Sequence, residues 1–510
     1  MYSSIQTSAL LGVEALPVRV EVDISTGLPG FTMVGSLCQE VRESKDRIQA
    51  AMKNCGLELP ASKITVNLSP ADIHKDGTAY DLPILIGILS CLSFFPQEAT
   101  EGVLFLGELG LGGEVKSVRG VLPIVRKARD WGISTCIVPG ANEREAAVVP
   151  GIRIRSATHI RQVLEYLQTG AEDALPAAKP VSDEEACAPV SVPDFAEVCG
   201  QENAKRAAII SAAGFHSLLM TGPPGVGKSL IAKRIPGILP PLNLEESLEV
   251  TSVHSVAGLL PPGVPLIRNR IFQAPHHSLS LPALIGGGVS PRPGAISLAH
   301  RSVLFLDELP EFQRNTLDSL RQPLEDHRIH IARARYSITY PADFLLICAM
   351  NPCPCGYYPD RNKCRCSETQ IRHYLGKVSG PILDRIDLCV ELKGVDLRDI
   401  RKPAEGLSSA EMRSAVERAR SMQRERYAGT GIRFNSDLSP GEIERFCGLG
   451  PGEQAYLESV YDKIGLSARS YHRVLRVART IADLEGSEAI ARNHLLEAIY
   501  YRPDLSYWKG

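Results

Sequence analysis

Long apolar runs are missing from this 510-residue chain. The most apolar uncharged stretch, Leu82 to Gln97, is too short to cross a bilayer and is interrupted by Pro83 and Pro96. It predicts a buried helix and no membrane span. A basic leader is missing too: the opening MYSSIQTSALLG has no positive start, which predicts a chain that is not exported. Net charge is nearly absent, with 56 basic against 58 acidic residues leaving −2. No global field therefore marks a nucleic-acid binder, and any such surface has to be local. Neither a short-period repeat nor a low-complexity tract occurs. With 44% hydrophobic and 22% charged residues, the composition excludes disordered, collagenous and coiled-coil classes. Thirteen cysteines, an odd number over a long chain, argue against a disulfide scaffold and for a reducing, cytoplasmic setting.

What is present has the length of about three or four domains. The clearest boundary is AEDALPAAKPVSDEEACAPVSVP, residues 171–193, where Ala, Pro and five acids against one Lys show no apolar period. It reads as an extended linker. Residues 1–170 before it mix strand and helix patterns: EALPVRVEVDIS alternates like a strand, VRESKDRIQAAMKNCG reads as a helix, and SKITVNLSP as another strand. Residues 194–394 read as α/β. Residues 395–510 read mainly as helices, the first opening at Ser408 with Glu411 as a capping-box partner.

SLLMTGPPGVGKSLIAKRI carries Gly222-x-x-x-x-Gly227-Lys228-Ser229 between an apolar run and a helical pattern. In that context Gly222, Pro223, Pro224, Gly225, Val226 and Gly227 form a loop whose N–H groups cradle phosphates. Lys228 then reaches the β- and γ-phosphates, Ser229 ligates Mg²⁺, and Leu230 continues the helix. Two more buried runs end in polar groups: SVLFLDE in Asp307-Glu308, and FLLICAMN in Asn351. Such groups at strand ends lie where an open α/β sheet binds its ligand. Asp307 is expected to hold Mg²⁺ through its water shell, Glu308 to polarise the attacking water, and Asn351 to place it. These motifs predict an ATPase using ATP and Mg²⁺.

GPPGVGKS, IPGILPPL, APHHSLSLPALIGGG, PGAISLAHRSVLFLDELPEF, LRQPLED, AMNPCPCG and SGPILDRIDL together resemble the magnesium-chelatase-like AAA+ ATPases of the YifB/ComM family, over nearly the whole chain. The resemblance implies an AAA+ P-loop core with an α-helical lid, assembled as a ring, a hexamer. It implies that Arg385 of LDRID is the arginine finger reaching a neighbouring subunit's ATP. It also implies that Arg469 of SARSYHRVLR is the lid arginine called sensor 2, with Arg473 as the second choice. For Arg385 the alternative is an intrachain bridge to Asp384 or Asp387. The task implied is movement along branched DNA (branch migration, a helicase-type activity) during recombination of incoming strands, as in natural transformation. Two rival readings are a magnesium-chelatase motor subunit for porphyrin metallation and an ATP-switched protein-remodelling scaffold.

The leading block resembles an α+β Lon-protease-like domain in HKDGTAYDLP and LGELGLGGEVKSVRGVLPI. Ala79 stands at the nucleophile's position and Leu122 at the general-base lysine's, so the Ser–Lys dyad is lacking and no peptidase activity is expected. Neighbouring Thr78 would point a different way.

Cys353, Cys355, Cys364 and Cys366 gather four thiols into fourteen residues. Two ligand pairs flanking a Gly/Pro/Asn loop suit a closed, structural Zn²⁺ site, the alternative being a loop of inert thiols. HRIHIARARYSITYP alternates like a hairpin, with Arg333 and Arg335 near its turn. In this clade an inserted hairpin before sensor 1 faces the ring's pore, and IGGGVSPRP with Arg292 resembles part of the other insertion. Six copies there would concentrate charge that one copy does not show, making DNA the expected partner, the alternative for each hairpin being a solvated surface. His276-His277 is read as structural, because adjacent histidines share a metal poorly. The arginines of SSAEMRSAVERARSMQRERY (Arg413, Arg418, Arg420, Arg424, Arg426) are expected mostly on that helix's wet face.

Overall fold

The computed structural model of the protein describes residues 1–181, 192–261, 263–288, 291–333, 336–394, 406–464 and 467–502. Among them no helix is long and apolar enough to cross a membrane. The uncharged stretch forms the helix Asp81–Cys91, buried along its whole length.

Two β-sheets organise the chain. The first has seven strands in the order Gly30–Val34, Lys63–Ser69, Glu14–Ser25, Tyr2–Leu11, Val103–Phe105, Thr135–Pro139, Arg153–Ala157. Its centre is the antiparallel pair Tyr2–Leu11 with Glu14–Ser25, joined at Gly12-Val13. Strand Glu14–Ser25 alternates as its sequence does, turning Val18, Val20, Val22 and Ile24 into the core. Residues 171–181, at the start of the stretch read as linker, run back along this sheet. Ala177 bridges Arg155 and Leu175 is buried.

The second sheet is wholly parallel, in the order Phe272–Gln273, Val303–Leu306, Leu345–Met350, Leu218–Thr221, Leu388–Glu391. The inner strands are buried at every position of Val303–Leu306 and Leu345–Met350. Burial on both faces is why they read as unbroken apolar runs rather than alternating ones.

The C-terminal region is helical: Ser409–Arg426, Pro440–Phe446, Pro451–Ile464, Ala468–Leu484 and Arg492–Tyr500. Ser408 caps the first of these reciprocally with Glu411. This group shares one apolar cluster with the helix Glu202–Gly214 and the parallel sheet. Arg413, Arg418 and Arg424 are exposed as expected, but two of the stripe turn inward. Arg420 lies 3.8 Å over the Phe434 ring, and Arg426 pairs with the buried Asp483. A guanidinium stacked on an aromatic face or paired in a fork can occupy a helix's inner side.

The two sheets are tied together. Leu248 and Leu266 enter the cluster around the helix Val121–Asp130, and Ser255 donates to the buried Glu145. At the turn of the first hairpin, Gly12 has φ +67°, and a Cβ there would lie 2.6 Å from Ile338. Only glycine tolerates both the conformation and the approach.

Candidate active site

Glycine is required where the phosphate loop is tightest. Gly227 has φ +96° at the start of the short helix Lys228–Ala232, and a Cβ on Gly222 would lie 2.6 Å from the Leu392 carbonyl. The loop follows strand Leu218–Thr221, so it emerges at the carboxyl end of the parallel sheet. The strand carrying Asn351 is its immediate neighbour, and the strand carrying Asp307 lies next beyond. Three separate chain segments thus meet at one edge.

Their side chains are in contact. Lys228 Nζ donates to Asn351 Oδ1 at 2.9 Å and to the Gly222 and Pro223 carbonyls at 2.5 and 2.9 Å. Desolvation pushes this ammonium below its ordinary range, with Asp307 and Glu308 opposing it. Ser229 Oγ donates to Asp307 Oδ2 at 2.7 Å, and the Glu308 N–H donates to Asp307 Oδ1 at 2.9 Å. Ser229 and Asp307, the pair expected to serve Mg²⁺, therefore supply a hydroxyl and a carboxylate to one spot, a donor set suited to a hard, oxygen-seeking cation. Glu308 itself has φ +50°, an uncommon conformation for a residue with a Cβ. Two further contacts lie beside the site. His277 Nδ1 lies 3.3 Å from Glu308 Oε2, and Gln201 Nε2 donates to the Val226 and Lys393 carbonyls.

Arg385 and Arg469 are brought together elsewhere. Arg385 Nη2 donates to Glu325 at 2.9 Å and its Nη1 to the Pro381 carbonyl at 2.7 Å, while Arg469 donates to the same Glu325 oxygen. Desolvation works against Glu325, but the two guanidinium groups hold its carboxyl below its ordinary range. Arg473 donates to the Asp384 carbonyl and lies 3.8 Å from Asp387. The Arg385 partner is thus Glu325, neither of the aspartates weighed from sequence. These groups line a cavity of about 390 Å³ together with Ser217 and Asp437. Ser217 and Asp387 precede strands Leu218–Thr221 and Leu388–Glu391, so the cluster sits at the amino end of the parallel sheet. The phosphate loop sits at the other end, ~13 Å away along a four-residue strand. Within one copy, these arginines and Lys228 face different sites.

The four thiols also converge. Cys353 Sγ lies 3.3 Å from Cys355 and 3.7 Å from Cys364, Cys355 lies 3.6 Å from Cys364, and all four sulfurs are within 4.8 Å of one another. A tetrahedron with metal–sulfur bonds of ~2.3 Å has sulfurs ~3.8 Å apart, so the set fits zinc. Desolvation raises the Cys355 thiol, but the Tyr357 N–H and the neighbouring thiols outweigh it and lower it to about 6. The loop abuts the nucleotide site: a Cβ on Gly356, φ +86°, would lie 2.5 Å from Pro224.

Of the residues expected to meet a polymer, Arg292 is exposed in a small hairpin pairing Gly286–Gly287 with Arg292–Pro293. The second hairpin, Arg328–Arg333 with Tyr336–Pro341, forms as its alternation predicts. The backbone of Arg333 ends its first strand, and Arg335 lies outside the described residues. In the first sheet's domain, the Thr78 hydroxyl donates to Glu108, Ala79 carries no nucleophile, and Leu122 is buried in an apolar cluster.

The chain matches known proteins in sequence. Residues 194–400 match the family described as magnesium chelatase, subunit ChlI; residues 20–142 match subunit ChlI of Mg-chelatase, and 406–502 its C-terminal region. The chain is 43% identical over 501 residues to YifB of Escherichia coli K12, covering 98% of this chain and 97% of that protein. It is 41% identical over 510 residues to the competence protein ComM of Haemophilus influenzae, covering 98% and 97%. It is 25% identical over 336 residues to the magnesium-chelatase 38 kDa subunit of Rhodobacter capsulatus, covering 59% and 84%.

Proposed function

The chain belongs to the magnesium-chelatase-like YifB/ComM family of AAA+-type ATPases, and from that premise we propose that it is an ATP-hydrolysing ring motor acting on DNA. The observation that carries the ATPase reading is the convergence of Lys228, Ser229, Asp307 and Asn351 at the carboxyl ends of three neighbouring parallel strands. In the working site Lys228 exchanges its carbonyl partners for phosphate oxygens. Ser229 and Asp307 would hold Mg²⁺, which would supply positive charge to the phosphates. Glu308 polarises the attacking water and Asn351 places it. Arg385 and Arg469, at the far end of the sheet, complete the site of an adjoining copy. That division of the machinery favours a closed ring, a hexamer in our reading, in which the helices of 406–502 serve as the lid.

The DNA reading draws on the similarity to a protein named for competence. It is supported by two hairpins, one carrying exposed Arg292 and the other with Arg333 at the end of its first strand. Each ATP cycle shifts these hairpins against the phosphate backbone of a branched or single strand during recombination of incoming DNA. The Cys353, Cys355, Cys364 and Cys366 cluster holds structural Zn²⁺. The leading domain, without its dyad, acts as a docking scaffold rather than a peptidase.

The test is ATPase rate with and without single-stranded, duplex and four-way-junction DNA, across a salt series. We expect stimulation that falls steeply with salt, strongest on the junction. A Glu308→Gln variant, holding ATP in assembled rings, that binds no DNA at low salt would reject the reading in favour of a chelatase motor or remodelling scaffold.

A further inference from the structure

We propose that His216 is a positioning residue that fastens the helix Ala468–Leu484 to the segment carrying Arg385, so that Arg385 and Arg469 reach an adjoining copy's nucleotide as one unit. This rests on the reading above that the two arginines complete the site of a neighbouring copy. His216 lies at the junction between the helix Glu202–Gly214 and the strand Leu218–Thr221 that feeds the phosphate loop. The junction turns sharply, with Phe215 at φ +57°, an uncommon state for a bulky residue. That turn sends two successive rings against the C-terminal helical region. Phe215 stacks on Phe434 at 4.4 Å, and the wholly buried His216 sets its Nε2 2.7 Å from Thr480 Oγ1. Gly214 makes the room, since a Cβ there would strike the His216 ring and lie 2.5 Å from Thr480 Oγ1.

The surrounding hydrogen bonds fix the direction of this contact. The Thr480 hydroxyl donates its one proton to the Arg476 carbonyl at 3.1 Å and accepts from Asn435 Nδ2 at 2.9 Å. Its remaining lone pair can only accept, so His216 donates from Nε2. The other ring nitrogen, Nδ1, makes no hydrogen bond and faces Asp387 Oδ2 at 3.5 Å. Desolvation works against the Asp387 carboxylate, but His216, Arg476 and Arg473 hold it below its ordinary range. The next residue completes the link. Ser217 Oγ donates to the Arg385 carbonyl at 2.8 Å and accepts from the Asp387 N–H at 2.9 Å. One dipeptide therefore holds the helix with its first residue and the Arg385 segment with its second.

Spacing along the helix shows what this hold controls. Arg469, Arg473, Arg476 and Thr480 fall at i, i+4, i+7 and i+11, so they share one face. At 1.5 Å of rise per residue, Thr480 lies ~16 Å along the axis from Arg469. His216 secures the far end of that stripe, and Glu325 joins Arg469 to Arg385 at the near end. A helix held at both ends cannot roll and carry Arg469 away from Arg385. Without His216 only the near end is held, and the pair loses its common frame.

The experiment measures kcat and KM for ATP, with melting temperature as a check on folding, for His216→Leu, His216→Gln and Thr480→Val, and for His216→Leu combined with Arg385→Ala. We expect His216→Leu and Thr480→Val to lower kcat about ten- to hundredfold at unchanged KM, the cost of a small misplacement far from the chemistry. Thr480→Val keeps the side-chain shape, so it carries the test if His216→Leu folds poorly. His216→Gln, whose amide can donate where Nε2 stood, should recover most of kcat. In the Arg385→Ala background His216→Leu should cost nothing more, because a residue acting through Arg385 loses its route of action there. A loss that multiplies in full with that of Arg385→Ala, or a raised KM with kcat kept, overturns the proposal. If Arg385→Ala is inactive while His216→Leu and Thr480→Val turn over like wild type, this proposal alone fails. If Arg385→Ala itself keeps full turnover, the shared-site reading fails and takes the proposal with it.

Discussion

Asp437 sits in the cavity beside the arginine cluster, and desolvation, helped by the nearby Asp343, raises its carboxyl to about 6, with His327 opposing. The unfolded chain ionises this group near 3.8 and the folded chain only near 6. Between those values the native state binds the extra proton, so its contribution is fully present below 3.8 and is lost as pH rises to about 6. Asp437→Asn should therefore raise the melting temperature increasingly from pH 4 to pH 6 and by a constant amount above. The expected gain is on the order of 1–2 kcal/mol after allowing for partial exposure. A flat difference across that range would contradict this. At this scale the convergence of the candidate residues was legible, because Gly222 through Ser229 lie on one continuous motif and Asp307 and Asn351 end apolar runs. His277 on Glu308 and Glu325 on Arg469 were not. The latter pair is 144 residues apart, and no local spacing encodes a contact made by tertiary packing.

Between residues and the whole chain, the Cys353–Cys366 loop is the element whose chemistry is most open to measurement. It begins two residues after Asn351 and presses Gly356 against Pro224, so a tetrahedral metal would stiffen the backing of the phosphate loop. Elemental analysis should find about one zinc per chain, and Cys353→Ser with Cys364→Ser should lose it and lower the melting temperature. Metal-free protein with full stability and activity would rule the site out. Strands such as Val303–Leu306 could be read from sequence because burial on both faces leaves only apolar residues. Their order could not: Leu345–Met350 lies between Leu218–Thr221 and Val303–Leu306 although it comes last of the three. The inward turn of Arg420 and Arg426 was equally hidden, since a charged letter in a helix pattern does not say whether an aromatic face or a carboxylate awaits it.

In the molecule as a whole, elements flanking the two sheets pack against each other. Helix Val121–Asp130 of the first lies on helix Leu244–Ala257 of the second, and the Gly12 turn rests on the hairpin strand Tyr336–Pro341. Motion of the hairpin would be felt by the leading domain, which a sequence divided at 171–193 does not suggest. The near-zero net charge sets the same limit at this scale as in the sequence: under the proposed function, any attraction for DNA would have to come from hairpins gathered by assembly.

The separation of Lys228 from Arg385 along the sheet has an arithmetic consequence. If, as proposed, each working site takes Arg385 from an adjoining copy, two inactive proteins can repair one another. Lys228→Ala cannot grip the nucleotide but still lends Arg385; Arg385→Ala grips it but lends nothing. Either alone should be inactive, the finger variant by about 10³-fold or more in kcat with ATP binding retained. Mixed one to one in randomly assembled rings, about a quarter of the junctions between copies would hold both intact halves. Activity regained on mixing, and absent from either stock, would mark the enzyme as a property of the seam between subunits rather than of the subunit.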